Sequence, residues 1–180
     1  MEAREKQLLL DLRDARTSHR AFASLVERYQ KQVYAIIRKM LIDHDDTNDA
    51  VQETFIKVWK SLKKFDEKSD LFTWIYRIAT NEALQVLRKR RTQKTTGTDS
   101  YEMLAGSLVA NQQLNGDEVQ MKLQLAILKL PDKQRLIFNL KYYEDLKYEQ
   151  IAEITDTSVG ALKAGYHHAV KKIGIILGMD

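Results

Sequence analysis

Apolar side chains recur at helical spacing through most of the chain. Between residues 22 and 41 they return every third or fourth position, which predicts one long amphipathic helix beginning after Thr17-Ser18. A second apolar stripe runs through residues 51–62, and the period resumes over residues 71–91 after a polar segment at 63–70. The pattern therefore predicts a helical N-terminal half with a polar loop between its last two helices.

The C-terminal half shows the same period in shorter segments. A helical pattern starts at Val119, is interrupted by Pro131, which cannot donate a backbone hydrogen bond, and continues to Tyr143. Two further helices, at 146–154 and 158–172, are separated by only three residues. Two short helices joined by so tight a turn predict a helix-turn-helix.

Residues 92–118 lack a sustained amphipathic period and contain polar, turn-prone stretches. We expect this segment to be a flexible linker. The whole chain holds one proline and seven glycines, a composition that suits helices better than a sheet. The predicted fold is all-α, with two small helical domains at 1–91 and 119–180 joined by that linker, the C-terminal one a helix-turn-helix.

Composition narrows the classes of function. The formal net charge of +4 favours polyanionic partners, because neutralised phosphates release their counterions. The chain has no cysteine, and its four histidines show no metal-ligand spacing, so we expect neither a metal nor another cofactor. The charged N-terminus lacks the apolar core of a signal peptide, and residues 173–179 are too few to span a bilayer. We expect a cytoplasmic protein without membrane insertion.

An acidic and polar run at 43–49 precedes the second amphipathic helix. Its Asp and Thr side chains suit helix capping, and their charge favours the positive end of the helix dipole. A calcium loop is the weaker interpretation, because the glycine and terminal glutamate of an EF-hand are missing at the required spacing.

One face of that second helix combines acidic, amide and apolar side chains. Asp49, Gln52, Glu53 and Ile56 lie away from the apolar stripe. Such a face can dock on a partner that is basic around an apolar patch. A face that simply contacts water is the alternative, and periodicity alone favours it.

The next helix carries a candidate base-stacking surface. Trp74 lies beside the polar positions Arg77 and Asn81, and the helix ends in a basic run at 88–91. An aromatic ring next to Arg and Asn side chains can stack a base whose edge the polar groups then contact. The alternative is that the aromatic residues of this helix belong to the core, which we favour for Phe72 but not for Trp74.

The predicted helix-turn-helix has the features of a module that enters a major groove. Ala152 permits close helix approach, Leu162 anchors the second helix, and Thr157 or Ser158 caps it. A simple packing corner of two helices is the alternative. The residues expected to face DNA are Ser158, Gly160, Ala161, Lys163, Ala164 and His167, followed by Lys171 and Lys172 at phosphates.

Two stretches carry a family resemblance. Residues 49–59 (DAVQETFIKVW) and 72–81 (FTWIYRIATN) resemble region 2 of bacterial sigma factors. Leu130-Pro131 and residues 148–163 are similar to region 4. Because no middle domain separates the two regions, the chain resembles the extracytoplasmic-function (ECF) group of the sigma-70 family.

The resemblance implies a non-catalytic factor that binds core RNA polymerase, melts the minus-10 promoter element and reads the minus-35 element with the helix-turn-helix. Its implied partners are promoter DNA, the β′ clamp helices and β flap of the polymerase, and an anti-sigma protein. The clamp helices would receive Asp49, Gln52, Glu53 and Ile56. The minus-10 element would be contacted by Phe65, Asp66, Lys68, Ser69, Trp74, Arg77, Asn81 and Arg88. The minus-35 element would be contacted by Ser158, Gly160, Ala161, Lys163, Ala164, His167 and Lys171.

Two positions depart from the family pattern. Asp156 replaces the turn glycine, and Gly165 replaces an arginine frequent in the recognition helix. We therefore expect weaker isolated DNA binding by residues 130–180 and an altered minus-35 preference. Gly165 can also mark a close approach to DNA or protein.

The sequence leaves two other classes of function as alternatives. A dimeric helix-turn-helix repressor or activator would bind an operator without polymerase, and an adaptor would bind proteins only. Neither explains the loop and aromatic helix of region 2. An enzyme is the least favoured class, because the sequence shows no phosphate-binding glycine loop, catalytic triad or metal cluster.

Overall fold

The computed structural model describes residues 3–93, 100–111 and 118–179, and every regular element in these ranges is helical. The predicted all-α fold class is confirmed. A short 3-10 turn occupies Leu62–Lys64. The α-helices of the described ranges are α1 (Ala3–Arg13), α2 (Ser18–Leu41), α3 (His44–Ser61), α4 (Leu71–Gln93), α5 (Ser100–Asn111), α6 (Glu118–Leu128), α7 (Asp132–Tyr142), α8 (Tyr148–Thr155) and α9 (Val159–Leu177).

Helix α2 forms the centre of the N-terminal half. It begins at Ser18, as its apolar period predicts, and it packs against α1, α3 and α4. Asp43 caps α3, since its Oδ1 accepts the backbone N–H of Asp46 at 2.9 Å, which confirms the capping interpretation of the acidic run. The fully enclosed side chains of α2 are Leu25, Val33, Ile36, Ile37, Met40 and Leu41.

Helix α1 was missed by the periodicity argument. Its consecutive leucines at 8–10 spread around the helix and form no clear stripe. Leu9 and Leu12 are nevertheless buried, and Glu5 Oε1 accepts the backbone N–H of Leu71 at 3.1 Å. Helix α1 therefore supports the first turn of α4, whose Leu71 N–H has no partner within its own helix.

The segment predicted as a wholly flexible linker requires a correction. Residues 100–111 of it form α5, and Leu104 and Leu108 on that helix are buried. Other apolar side chains of α5, such as Met103 and Val109, are exposed, so its apolar residues form no stripe that periodicity could detect. Residues 94–99 and 112–117 lie outside the described ranges.

The C-terminal half follows its predicted breaks. Helix α6 ends at Leu128, before Pro131, and α7 begins at Asp132. Asp156 ends α8 in the left-handed conformation, with φ 51° and ψ 48°, as expected for a turn position that glycine fills more easily.

Helix α9 begins with a side-chain cap and packs closely on α7. Ser158 Oγ accepts the N–H of Ala161 at 3.3 Å. A Cβ on Gly165 would lie 3.3 Å from Ile137 Cδ1. Gly165 therefore permits the close approach of α9 to α7, so the predicted close approach is to the protein's own core.

The two halves share one continuous core. Helices α2 and α4 contact α7 and α8, and apolar residues from both halves belong to the same buried cluster. In the part of the chain that the structure describes, no helix has the length and apolarity needed to cross a bilayer.

Candidate nucleic-acid interface

Helix α3 presents the mixed face that its sequence predicts. Asp49, Gln52 and Glu53 are exposed, while Ile56 is half-buried. The opposite side of the helix, including Phe55 and Val58, is buried against α2 and α4. The arrangement leaves an acidic and amide surface around one accessible apolar side chain, held rigidly by the core behind it.

The loop between α3 and α4 differs from its prediction at one residue. Phe65 is only 5% exposed, and its ring lies 4.9 Å from that of Trp74. Apolar burial therefore places Phe65 beneath the loop as its anchor, and it does not offer its ring to a base. Asp66 and Lys68 are exposed, and Ser69 is half-buried.

Two N-terminal residues hold this loop in place. Arg13 forms an ion pair with Glu67 at 2.6 Å, and its guanidinium also donates to the carbonyl oxygen of Phe65 at 3.5 Å. The Glu5 contact to Leu71 fixes the end of the loop. Sequence reasoning missed these residues, because contacts between positions more than fifty residues apart leave no local signal.

The loop also contains a local ion pair. Asp66 and Lys68 approach to 2.8 Å, and their mutual hydrogen bond lowers the pKa of the Asp66 carboxyl and raises that of the Lys68 ammonium. Both side chains are open to solvent, so the pair is readily exchanged for contacts to a ligand.

Helix α4 exposes part of its predicted base-stacking surface. Trp74 is half-buried, and Asn81 and Arg88 are exposed. Asn81 borders a groove of about 430 Å³ together with Lys57, Lys60 and Lys64. These three lysines were not predicted, although their i, i+3, i+7 spacing on one helical segment is a detectable sign of a basic stripe.

Arg77 has a different neighbour from the one predicted. Its Nε donates to the backbone carbonyl oxygen of Glu153 in α8 at 2.7 Å. Helix α8 therefore lies against the face of α4 on which Trp74 and Asn81 also occur. Arg77 cannot use the same N–H for a base while this hydrogen bond exists.

Further polar contacts join the halves beside Arg77. Glu144 accepts from Lys39 Nζ at 2.7 Å and from the Tyr76 hydroxyl at 3.3 Å. Burial, followed by the nearby Glu144 charge, raises the pKa of Tyr76. The buried Asn139 amide donates to Met40 Sδ at 3.5 Å.

Helix α9 carries a continuous exposed surface. The core-facing Leu162 and Ala169 are buried, which orients the remaining positions outward. Lys163 Nζ lies 5.8 Å from the centre of the Tyr148 ring, a contact that directs the ammonium along the surface of the helix pair. The predicted groove-facing residues are all exposed: Ser158, Gly160, Ala161, Lys163, Ala164, His167 and Lys171.

Within the described ranges, no group of three or more His, Cys, Asp or Glu side chains is arranged to hold a metal ion. The polar surfaces of α3, α4 and α9 instead offer hydrogen-bond donors, acceptors and cations on rigid helices. Such surfaces can bind macromolecules by complementarity.

Two sequence families match the chain in separate segments. The family described as Sigma-70 region 2 matches residues 25–93, and the family described as Sigma-70, region 4 matches residues 120–173. The first match begins within α2 and runs through α3 and α4, and the second begins within α6 and ends within α9. The matches lie on either side of α5.

Individual sigma factors resemble nearly the whole chain. The ECF RNA polymerase sigma factor SigW of Bacillus subtilis is 34% identical over 157 residues, which cover 82% of this chain and 83% of that protein. The RNA polymerase sigma-H factor of Pseudomonas aeruginosa is 30% identical over 182 residues, covering 96% and 94%. The ECF sigma-E factor of Escherichia coli K12 is 31% identical over 163 residues, covering 86% and 85%.

Two solved structures share the fold. CnrH, in complex with the cytosolic domain of CnrY, has a TM-score of 0.70 at 23% identity, with 98% of each chain covered. The sigma factor RpoE of Bartonella quintana, in complex with the anti-sigma factor NepR, has a TM-score of 0.67 at 22% identity, covering 88% of this chain and 98% of that one. The two family matches and the relatives at 30% identity or more show that this chain belongs to the ECF group of the sigma-70 family and is an RNA polymerase sigma factor for promoter-specific transcription initiation.

Proposed function

We propose that the exposed face of α3 is the surface that binds core RNA polymerase, at its β′ clamp helices. Asp49, Gln52 and Glu53 supply acidic and amide groups around the half-buried Ile56. The observation that carries the proposal is that Asp49, Gln52 and Glu53 stay exposed, although they belong to a helix whose other side is packed into the core. A rigid, exposed polar rim around an apolar residue suits a protein interface.

The loop after α3 and the face of α4 are proposed to hold the melted minus-10 element. Trp74 would stack an unpaired base, and Asn81 and Arg77 would contact its edge, with Asp66, Lys68, Ser69 and Arg88 around them. Phe65 supports Trp74 from below. Helix α8 lies against this face of α4 and engages the Nε–H of Arg77, so we propose that α8 leaves α4 when the strand binds there.

Three unpredicted lysines extend this proposed surface. Lys57, Lys60 and Lys64 border the groove beside Asn81. Lys57 forms an ion pair with Glu82 of the same groove, so the attraction for the phosphates of the strand whose bases reach Trp74 comes chiefly from Lys60 and Lys64.

Helix α9 is proposed to read the minus-35 element from the major groove. Its first turn is fixed by the Ser158 cap, and Lys163, His167 and Lys171 supply polar and cationic contacts. Gly165 faces α7, so it takes no part in the groove surface. Because Gly165 stands where the family often has an arginine, α9 has one cation fewer, which supports a weak affinity of the isolated C-terminal half for DNA.

The functional division we propose follows the family matches. Residues 1–91 act as region 2, residues 92–118 connect the halves, and residues 119–180 act as region 4, which also meets the β flap. Sigma factors are non-catalytic initiation factors, and we propose that this chain likewise performs no reaction and works in the cytoplasm. An anti-sigma protein is a further proposed partner, because both structural neighbours were solved with such a partner or a cytosolic domain bound.

Binding of labelled chain to core RNA polymerase tests the docking surface. We expect Gln52→Ala and Glu53→Ala to weaken binding about tenfold each, as for central residues of an interface. Gln32→Ala, an exposed substitution of the same kind on α2, is the control. Equal affinity of Gln52→Ala, Glu53→Ala and the control variant would reject the α3 face as the docking surface.

A further inference from the structure

A cavity of about 490 Å³ lies where α4, α5 and the α6–α7 junction meet. Arg91 comes from the end of α4 and Tyr101 from α5, while Lys129, Asp132 and Arg135 come from the junction. Its volume falls within the range of pockets that hold small organic ligands. The cavity lies apart from the α3 face and the exposed face of α9.

The most unusual residue of this cavity is Arg135. Its side chain is only 1% exposed, and its Nε has no hydrogen-bond partner among the described residues. Its guanidinium forms an ion pair with one carboxylate, that of Asp132, at 3.2 Å between Nη2 and Oδ1. A buried cation that lacks acceptors is costly, because desolvation is only partly offset.

The charges around Arg135 leave a surplus of cations. Asp132 also forms an ion pair with Arg91 at 2.5 Å, so one carboxylate is shared by two guanidinium groups. Lys129 adds a third cation to the lining. Burial, and then repulsion from Arg91 and Arg90, oppose the charge of Arg135 and lower its pKa despite the nearby Asp132. An anion in the cavity would relieve this repulsion and supply the missing acceptor.

The shape of the donors indicates the kind of anion. Guanidinium groups donate in a planar fork that matches the oxygens of a phosphate. The ring of Tyr101 lies 5.5 Å from Lys129 Nζ at the same cavity, so the cavity combines cations with an aromatic wall. We propose that this cavity binds a small phosphorylated molecule of nucleotide size, with Arg91, Lys129 and Arg135 at its phosphates and Tyr101 beside its ring.

The cavity lies between the two halves of the chain, so a bound ligand would affect how they pack together. Its walls come from the region 2 match, from α5 and from the region 4 match, so one bound molecule bridges all three. Binding would therefore stabilise the arrangement in which α8 lies on α4 and Arg77 bonds to Glu153. The binding site itself does not depend on the surfaces proposed above for polymerase and promoter.

Calorimetric titration of the full chain tests the site. ATP and pyrophosphate, without magnesium, are the probes, and adenosine and malonate are the comparison ligands. We expect ATP and pyrophosphate to bind, with ATP tighter, and saturating ATP to raise the midpoint of thermal unfolding by about 5 °C. Binding of adenosine or malonate without binding of pyrophosphate would overturn the proposal, as would no binding of either probe.

Matched variants separate a built site from general attraction to a basic protein. Arg91→Ala and Lys129→Ala change exposed residues that line the cavity, so they spare the core. Each should weaken ATP binding about tenfold. Lys89→Ala and Lys133→Ala remove the same charge from exposed positions of α4 and α7 outside the lining, and they should change affinity less than twofold. Equal losses in all four variants would show diffuse charge attraction and overturn the proposal.

Discussion

Arg77 Nε and the carbonyl oxygen of Glu153 lie 2.7 Å apart, which joins the two family-matched halves through a residue of the predicted minus-10 surface. The hydrogen bond places α8 over part of α4. An arginine has four further N–H groups, so this bond alone does not keep Arg77 from DNA. Helix α8, however, lies against the face of α4 on which Trp74 and Asn81 also occur, and we propose that it separates from α4 during promoter opening.

A reducible crosslink tests that proposal. The chain has no cysteine, so Arg77→Cys with Glu153→Cys introduces the only two thiols. A short crosslinker with two thiol-reactive ends and a reducible disulfide at its centre would join these cysteines. We expect promoter opening by the crosslinked holoenzyme to fall at least tenfold, because α8 stays on α4. Reduction should restore the activity of the uncrosslinked double variant. Full opening by the crosslinked protein would show that the halves need not separate here.

Glu144 should contribute measurably to folding stability. Glu144→Ala leaves the buried Tyr76 hydroxyl and the Lys39 ammonium without their shared acceptor, at a cost of about 1–3 kcal/mol in the free energy of unfolding. Urea denaturation measures the loss. Glu153→Ala is the control, since its side chain is exposed and its backbone carbonyl remains. Equal stability of the two variants would mean that the Glu144 contacts add nothing.

The raised pKa of Tyr76 predicts a loss of stability in alkali. Burial and the Glu144 charge make the folded state hold the hydroxyl proton more tightly than the unfolded chain, whose tyrosine titrates near 10. The protonated Tyr76 hydroxyl therefore makes its full contribution to the free energy of unfolding below pH 10. Above pH 10 that contribution is lost, by up to about 1.4 kcal/mol per pH unit.

Unfolding by urea between pH 9 and 11.5 measures this slope. Tyr76→Phe should make it shallower, because no proton is released there on unfolding. Tyr142→Phe changes a tyrosine that is 53% exposed and serves as the control. An unchanged slope in Tyr76→Phe would contradict the assignment.

Glycine at position 156, in the turn of the helix-turn-helix, should stabilise the fold. Asp156 has φ 51°, a conformation that costs an L-residue energy, and its carboxylate lies at the negative end of α8. Asp156→Gly should raise the free energy of unfolding by about 0.5–1 kcal/mol, as measured by thermal or urea denaturation. Asp156→Ala removes the same carboxylate but keeps a Cβ in the left-handed conformation, so it should be less stable than Asp156→Gly. A loss of stability in Asp156→Gly would disprove the strain argument.

Two glycines of α9 should respond differently to alanine. A Cβ on Gly174 meets no atom within 4 Å, so Gly174→Ala should gain about 0.5–1 kcal/mol from helix propensity. Gly165→Ala should gain less, because its Cβ would press on Ile137 Cδ1. Denaturation midpoints of the two variants check the order, and a larger gain at Gly165 would contradict the observed α7–α9 contact.

The sequence predicts the helices better than it predicts the contacts between them. The apolar periods of α2, α3 and α4 are local signals, and the break at Pro131 and the strained turn at Asp156 follow from backbone chemistry. Helix α1 was not predicted because its adjacent leucines form no stripe, and α5 was not predicted because its apolar residues, exposed Met103 and Val109 beside buried Leu104 and Leu108, are spread around the helix.

Contacts between residues far apart in the sequence were also not predicted. Nothing near Arg77 or Phe65 in the sequence indicates that one bonds to Glu153 and the other is buried under Trp74. Exposure on α3 and α9 was predictable, since it follows directly from which helical positions the apolar stripe leaves outside.

The measurement that tests the central claim most directly is run-off transcription from a genomic promoter library with core RNA polymerase and the purified chain. The account predicts transcripts from a defined set of promoters, lost with Gln52→Ala and Trp74→Ala, reduced with Lys163→Ala, and retained with Trp74→Phe, Gln32→Ala and Lys133→Ala. No promoter-specific transcripts, together with binding of duplex DNA in the absence of polymerase, would contradict it.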